Sequence, residues 1–130
     1  MNNLQHSKGD ETILIVDDEH MVLNMLNFYL VDLGYNIMTA KDGEEAVNLY
    51  KQHIDTIKAV IMDVVMPNKD GIEAYEDLKK INPDANIFLM SGNPNSRSLF
   101  DKSPDIQFIP KPFNPYDIAN KIRTSIDGIA

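Results

Sequence analysis

Apolar positions fall into two alternating patterns along this chain. Residues 13–16 (ILIV) are a continuous apolar run, the signature of a strand covered on both faces. Val22, Leu26, Tyr29, Leu30 and Leu33 then recur at helical spacing, and Gly34 marks a stop. Residues 35–40 alternate weakly and predict a short second strand. Asp42 follows as an N-cap, with Ala46, Leu49, Tyr50 and His53 on one face of a second helix. A third strand is predicted over 59–62. The turn-rich VVMPNKDG leads from it into a helix marked by Ala74, Leu78 and Ile81 and ended by Asn82-Pro83. Strands over 86–90 and 106–109 come next, with room between them for only a short fourth helix, 95–102, before Pro104. Asn114 and Pro115 make a cap and first-turn pair for the last helix, whose face is Ile118, Ile122 and Ile126.

Five βα units without repeat or linker predict an α/β fold, a doubly wound parallel sheet with helices on both faces. The usual strand order for such a sheet is 2-1-3-4-5. It places residues 106–109 at an edge, where Pro110 is tolerated because it has no N–H to give a ladder. Residues 1–11 read as a flexible N-terminal tail and 128–130 as a C-terminal tail, framing one domain over 12–127.

The ends of the strands carry the chemistry. In an open parallel sheet ligands bind beyond the carboxyl ends of the strands. Four adjacent strands here run into Asp17-Asp18, Asp63, Ser91 and Lys111. Taken singly, each has an ordinary reading. A strand-end Asp can be a helix cap, Glu19 a first-turn acid favoured by the helix dipole, Ser91 before Gly92 a turn residue, and Lys111 a solvated lysine. Four such coincidences around one crevice favour a shared purpose. Three close carboxylates stay ionised only with a cation among them. Hard oxygen ligands in a chain without Cys point to Mg²⁺, or Mn²⁺ in its place. A lysine and a hydroxyl beside such an ion make a phosphoryl-transfer site, in which a carboxylate can be the nucleophile.

Composition narrows the alternatives. The chain has 130 residues, enough to bury one core, and the absence of Cys excludes disulfides and thiolate chemistry. A formal net charge of −8 disfavours direct binding to nucleic acid. No apolar run reaches the length of a membrane span, and the polar N-terminus lacks the apolar stretch of a signal peptide, so a cytoplasmic location is expected. His6, His20 and His53 are dispersed and read as structural or solvated. Met21, Met25, Met62, Met66 and Met90 read as core filler.

The motifs ILIVDDE, VIMDVVMPNKDG, IFLMSG and FIPKPF, in this order and spacing, resemble the receiver domain of two-component response regulators. The resemblance spans about Thr12 to Ile126 and implies a flavodoxin-like (βα)5 fold. It implies that Asp63 is the phosphoacceptor. Asp18, Asp17 (partly through water), Asp63 and the backbone carbonyl of Val65 would bind the metal. Lys111 and Ser91 would meet the phosphoryl group, and Phe108 would be the switch aromatic. Lys111-Pro112 resembles the family's cis peptide.

The implied donor is a phosphohistidine on a sensor histidine kinase or a histidine phosphotransfer protein. The implied output is a change in a surface formed by the fourth helix, fifth strand and last helix, read by a downstream protein target. No DNA-binding output domain is expected in these residues. Phe108 lacks the hydroxyl of the tyrosine often found there. Val65 and Asn93 occupy positions that tune dephosphorylation, and apolar Val65 predicts slow self-dephosphorylation. On this reading the chain is a phosphoacceptor signalling domain rather than an enzyme. Two rivals differ in their signatures. A phosphatase of the haloacid dehalogenase type would carry D-x-D after the first strand, where this chain has DDE; a degenerate docking domain would lack part of the Asp-Asp-Asp-Ser-Lys set, which is complete here.

Overall fold

The computed structural model describes residues 8–92 and 106–128. Five strands, β1 (Thr12–Val16), β2 (Asn36–Ala40), β3 (Ile57–Asp63), β4 (Ile87–Ser91) and β5 (Gln107–Pro110), form one sheet in the order β2-β1-β3-β4-β5. Every pairing is parallel. Four helices are described: α1 (His20–Asp32), α2 (Gly43–Gln52), α3 (Gly71–Ile81) and α4 (Pro115–Asp127). The fourth helix expected over 95–102 lies outside the described residues, as does Asn93.

Period-two alternation within fully covered strands splits the core into two layers. Leu14, Val16, Val60, Met62, Ile87 and Leu89 face α2 and α3, meeting Ala46, Tyr50, Ala74 and Leu78. Ile13, Ile15, Ala59, Ile61, Phe88 and Met90 face the opposite side, meeting Leu23, Leu26 and Leu30 of α1 and Ile118 and Ile122 of α4. The sheet is therefore doubly wound, and β1 and β3 at its centre are covered on both faces.

Local signals end most helices where the sequence places them. Asp42 accepts from the Glu45 N–H at 2.8 Å and caps α2. Asp70 and Glu73 form a reciprocal capping box on α3. Asn114 accepts from the Tyr116 N–H at 2.8 Å ahead of Pro115. Gly34, with φ of 104°, closes α1 in the left-handed region that only glycine enters freely.

Three expectations need correction. Glu19 is the N-cap of α1 rather than a first-turn acid. Its backbone is extended (φ −90°, ψ 113°) because its N–H is drawn back to Asp17 Oδ1 at 2.9 Å, which delays the helix to His20. Met21 is 83% exposed and fills no core, since the inward stripe of α1 falls on Leu23, Leu26 and Leu30. Residues 8–11, counted with the N-terminal tail by sequence, are bound to the domain. Gly9 N–H donates to the Leu33 carbonyl at 3.1 Å, and Glu11 is gripped by Arg123.

Candidate functional site

The site is built by strand ends brought level. In the sheet register Val16 lies beside Met62, Asp63 beside Met90, and Ser91 beside Pro110. Backbone bonds carry this alignment one residue further: Asp17 N–H to the Ala40 carbonyl (3.1 Å), Val64 N–H to Met90 (3.0 Å) and Lys111 N–H to Ser91 (2.9 Å). Asp17, Asp63, Ser91 and Lys111 thus converge although 94 residues of chain separate the first from the last.

Asp17 is fully buried, Asp63 is 7% exposed and Ser91 4%, whereas Asp18 faces solvent. Asp17, Asp18 and Asp63 each offer a carboxylate oxygen, all within 4.8 Å of one another. Lys111 Nζ lies 3.2 Å from Asp17 Oδ2 and 3.4 Å from Asp63 Oδ1. Each Asp17 oxygen takes one bond, Oδ2 from this ammonium and Oδ1 from the Glu19 N–H, and each keeps a lone pair for a further partner. The Lys111-Pro112 peptide is cis.

One ammonium does not balance three carboxylates. Burial pushes the Asp63 carboxyl up, the Asp17 charge adds to this, and Lys111 offsets only part, so its pKa is raised to about 6. Burial also works against the charge of Lys111, but Asp63 and Asp17 outweigh it and raise its pKa. The residues present fit a hard dication. Three close carboxylate oxygens supply the donor set, and the excess negative charge is what such an ion neutralises. The exposed Asp18 leaves the cluster open to solvent, as suits an ion that keeps part of its water.

The remaining expected residues are close in sequence to this centre. Val65 lies two residues past the end of β3 and is 66% exposed. Phe108 pairs with Leu89 in the sheet and is half-buried against the α2–α3 layer. His20 is exposed and His53 half-buried at the end of α2, and neither belongs to the carboxylate cluster; His6 lies outside the described residues. The loop from Val64 to Asp70 also carries two residues that sequence reasoning passed over. Asn68, at φ of 66°, donates to Asp42 Oδ2 at 3.0 Å, and the Lys69 ammonium pairs with Asp77. An Asn directly after the proline of a turn is the signal that could have drawn attention to a left-handed position.

Comparison with known proteins bears on the family and the fold. The family model described as the response regulator receiver domain matches residues 13–123. The sensor kinase/phosphatase LuxN of Vibrio harveyi is 37% identical over 98 residues, covering 75% of this chain and 11% of LuxN. The transcriptional regulatory protein CpxR of Escherichia coli K12 is 33% identical over 112 residues, covering 85% of this chain and 47% of CpxR. The chain therefore spans less than half the length of either relative. Among solved structures, the CheX-CheY-BeF3-Mg complex from Borrelia burgdorferi aligns with a TM-score of 0.80 at 30% identity, over 90% of this chain and 89% of that one. The receiver domain of the hybrid histidine kinase CckA aligns at 0.75 and 28% identity, over 88% and 98%. With the family model spanning most of the chain and the sheet order in keeping with the solved relatives, this chain belongs to the response regulator receiver domains of two-component signal transduction.

Proposed function

We propose that Asp63 accepts a phosphoryl group in an Mg²⁺-dependent step, and that the modified domain presents a changed surface to a protein target. The observation that carries this reading is the placement of Asp63. It is a buried carboxylate at a strand end, flanked by Asp17 and Asp18 and 3.4 Å from the Lys111 ammonium. The side chains of Asp17, Asp18 and Asp63 and the carbonyl of Val65 would hold the ion, which when bound neutralises charge on phosphoryl oxygens.

The chain's own residues do the rest. An Asp63 oxygen attacks phosphorus in line, the P–N bond of a phosphohistidine breaks, and its electron pair returns to the imidazole. The Lys111 ammonium, already held between Asp17 and Asp63, is placed to take a phosphoryl oxygen. Ser91, at the end of the neighbouring strand, hydrogen-bonds the transferred group. Its shift makes room for Phe108 two strand positions before Pro110, which biases a surface of β5 and α4. The segment expected to hold another helix, 95–102, would complete that surface.

The donor fits a sensor histidine kinase or histidine phosphotransfer protein, in keeping with LuxN and CckA among the similar proteins. The Borrelia complex, which pairs CheY with CheX, BeF3 and Mg²⁺, supports both the phosphoryl chemistry and a protein partner. Val65, apolar and exposed, has no group to orient an attacking water, so self-dephosphorylation is slow on this reading. The test is mass measurement after incubation with Mg²⁺ and acetyl phosphate. One added phosphoryl group, absent in Asp63→Asn, is expected. Unchanged mass together with no binding of beryllofluoride would overturn the proposal. A phosphoryl lifetime of seconds, unaltered by substitution of Val65 or Asn93, would overturn the slow-decay part alone.

A further inference from the structure

The loop between β3 and α3 carries the Val65 carbonyl, yet it has no regular structure of its own and must be held from outside. It is held at several points. The Gly71 N–H donates to the Val64 carbonyl at 2.8 Å and closes the loop on itself. Gly71 packs directly on the Asp63 carbonyl, so a side chain there would collide with the backbone of the phosphoacceptor. The Gly43 N–H donates to the Lys69 carbonyl at 3.0 Å, with Gly43 pressed against that carbonyl. The Lys69 ammonium pairs with Asp77 of α3.

The remaining tie is the most specific. Asp42 divides its carboxylate: Oδ1 takes the Glu45 N–H and caps α2, while Oδ2 takes the Asn68 side-chain amide at 3.0 Å. Both bonds hold the Asp42 pKa below the usual carboxylate range, the Glu45 bond more than the Asn68 one, so the acceptor is ionised and the bonds are charge-assisted. Asn68 meets it from a left-handed backbone (φ 66°), a conformation that costs most residues energy and is accepted here at the turn of the loop.

We propose that Asn68, anchored on Asp42, is a positioning residue that fixes the loop so that the Val65 carbonyl faces the Asp17–Asp18–Asp63 cluster. The inference rests on the receiver chemistry proposed above and adds residues outside it. Neither side chain belongs to the carboxylate cluster; both act by orienting a group that would touch the metal, as hydrogen-bond partners of metal ligands commonly do.

The test uses the whole chain, with Asn68→Gly, Asp42→Ser and the double variant. Glycine keeps the left-handed backbone and removes only the amide. Serine keeps a good N-cap for α2 but has no second oxygen for Asn68. In metal-free protein, hydrogen exchange at the Gly43 amide, which donates to Lys69, should quicken in each variant while amides of β1 and β3 keep their rates. Calorimetric titration with Mg²⁺ should show affinity weakened about tenfold in each single variant. The double variant should be no weaker than the worse single, because one bond is removed in all three. The melting temperature should move by no more than about 4 °C. Mg²⁺ affinity unchanged in Asn68→Gly, or losses that multiply in the double variant, would overturn the positioning role alone. An unsubstituted protein that neither binds Mg²⁺ nor takes a phosphoryl group would overturn the receiver chemistry and this inference with it.

Discussion

Two regions of the molecule concentrate charge, and they do so to opposite effect. At one, Arg123 is 8% exposed and its guanidinium forks onto both oxygens of Glu11 at 2.9 and 2.7 Å. The same group reaches Asp127 at 3.1 and 2.7 Å and the Lys8 carbonyl at 3.2 Å. There the Arg123 hydrogen bonds outweigh burial and hold Glu11 down to about 2. At the strand ends three carboxylates share one ammonium, and Asp63 is raised to about 6. Both pair one cation with carboxylates, but the guanidinium meets two while the single ammonium stands among three. The Arg123 group is satisfied by its own partners and ties the chain's first described residues to its last helix. The Asp63 group is left short of positive charge, and that deficit is what invites a cation and a phosphoryl group. Excess charge marks the functional site better than charge itself.

The comparison can be broken from either side. Removing the centre of the satisfied cluster should cost most: Arg123→Met leaves Glu11 and Asp127 without their cation and should lower unfolding free energy by about 3 kcal/mol in urea titration. A loss below the error of the fit would mean that the cluster contributes nothing to holding residues 8–11. At the unsatisfied site the sign reverses. Asp63→Asn in EDTA removes a carboxylate held at an unfavourable charge and should raise stability by about 2 kcal/mol. A destabilised variant under those conditions would show that Asp63 is already balanced.

Adding the missing charge should narrow that gap. Mg²⁺ at ten times its dissociation constant should stabilise the unsubstituted protein by about 1.4 kcal/mol, and Asp63→Asn by less. An equal effect on both would place the ion elsewhere.

The smallest expected effect is the acid response of the satisfied cluster. The folded pKa of Glu11 is depressed, so its contribution is fully present above the unfolded value of about 4.3 and is lost as pH falls through about 2. With Glu11 partly open to solvent, a loss of about 1 kcal/mol is expected over that window, and it should vanish in Glu11→Gln. An acid response of equal size in Glu11→Gln would assign it to other carboxylates.

Much of this was legible along the chain because the signals are local. The apolar runs at 13–16 and 87–90 and the caps at Asp42 and Asn114 each act within a few residues of themselves, so their elements appear where the pattern places them. The site was legible for a related reason. A parallel sheet sends all its strand ends to one edge, so Asp17, Asp18, Asp63, Ser91 and Lys111 could be assigned to a shared crevice from element order alone. Glu19 differs from its sequence reading because its N–H is held by Asp17 Oδ1 and it stays outside the helix, and Met21 because the inward stripe of α1 falls on Leu23, Leu26 and Leu30.

What the sequence alone determined was the alternation of strands and helices, the two-sided burial of the central strands, and the kinds of side chain at each strand end. Periodicity and capping suffice for these, since both are read over one or two turns of chain. Only the tertiary structure decided that Lys111 lies between Asp17 and Asp63, that Arg123 closes on Glu11 from 112 residues away, and that Asn68 is tied to Asp42 across 26. These pairings follow from the sheet order and helix packing that bring distant segments together. Their bonds form at separations of about 3 Å, which no pattern along the chain specifies.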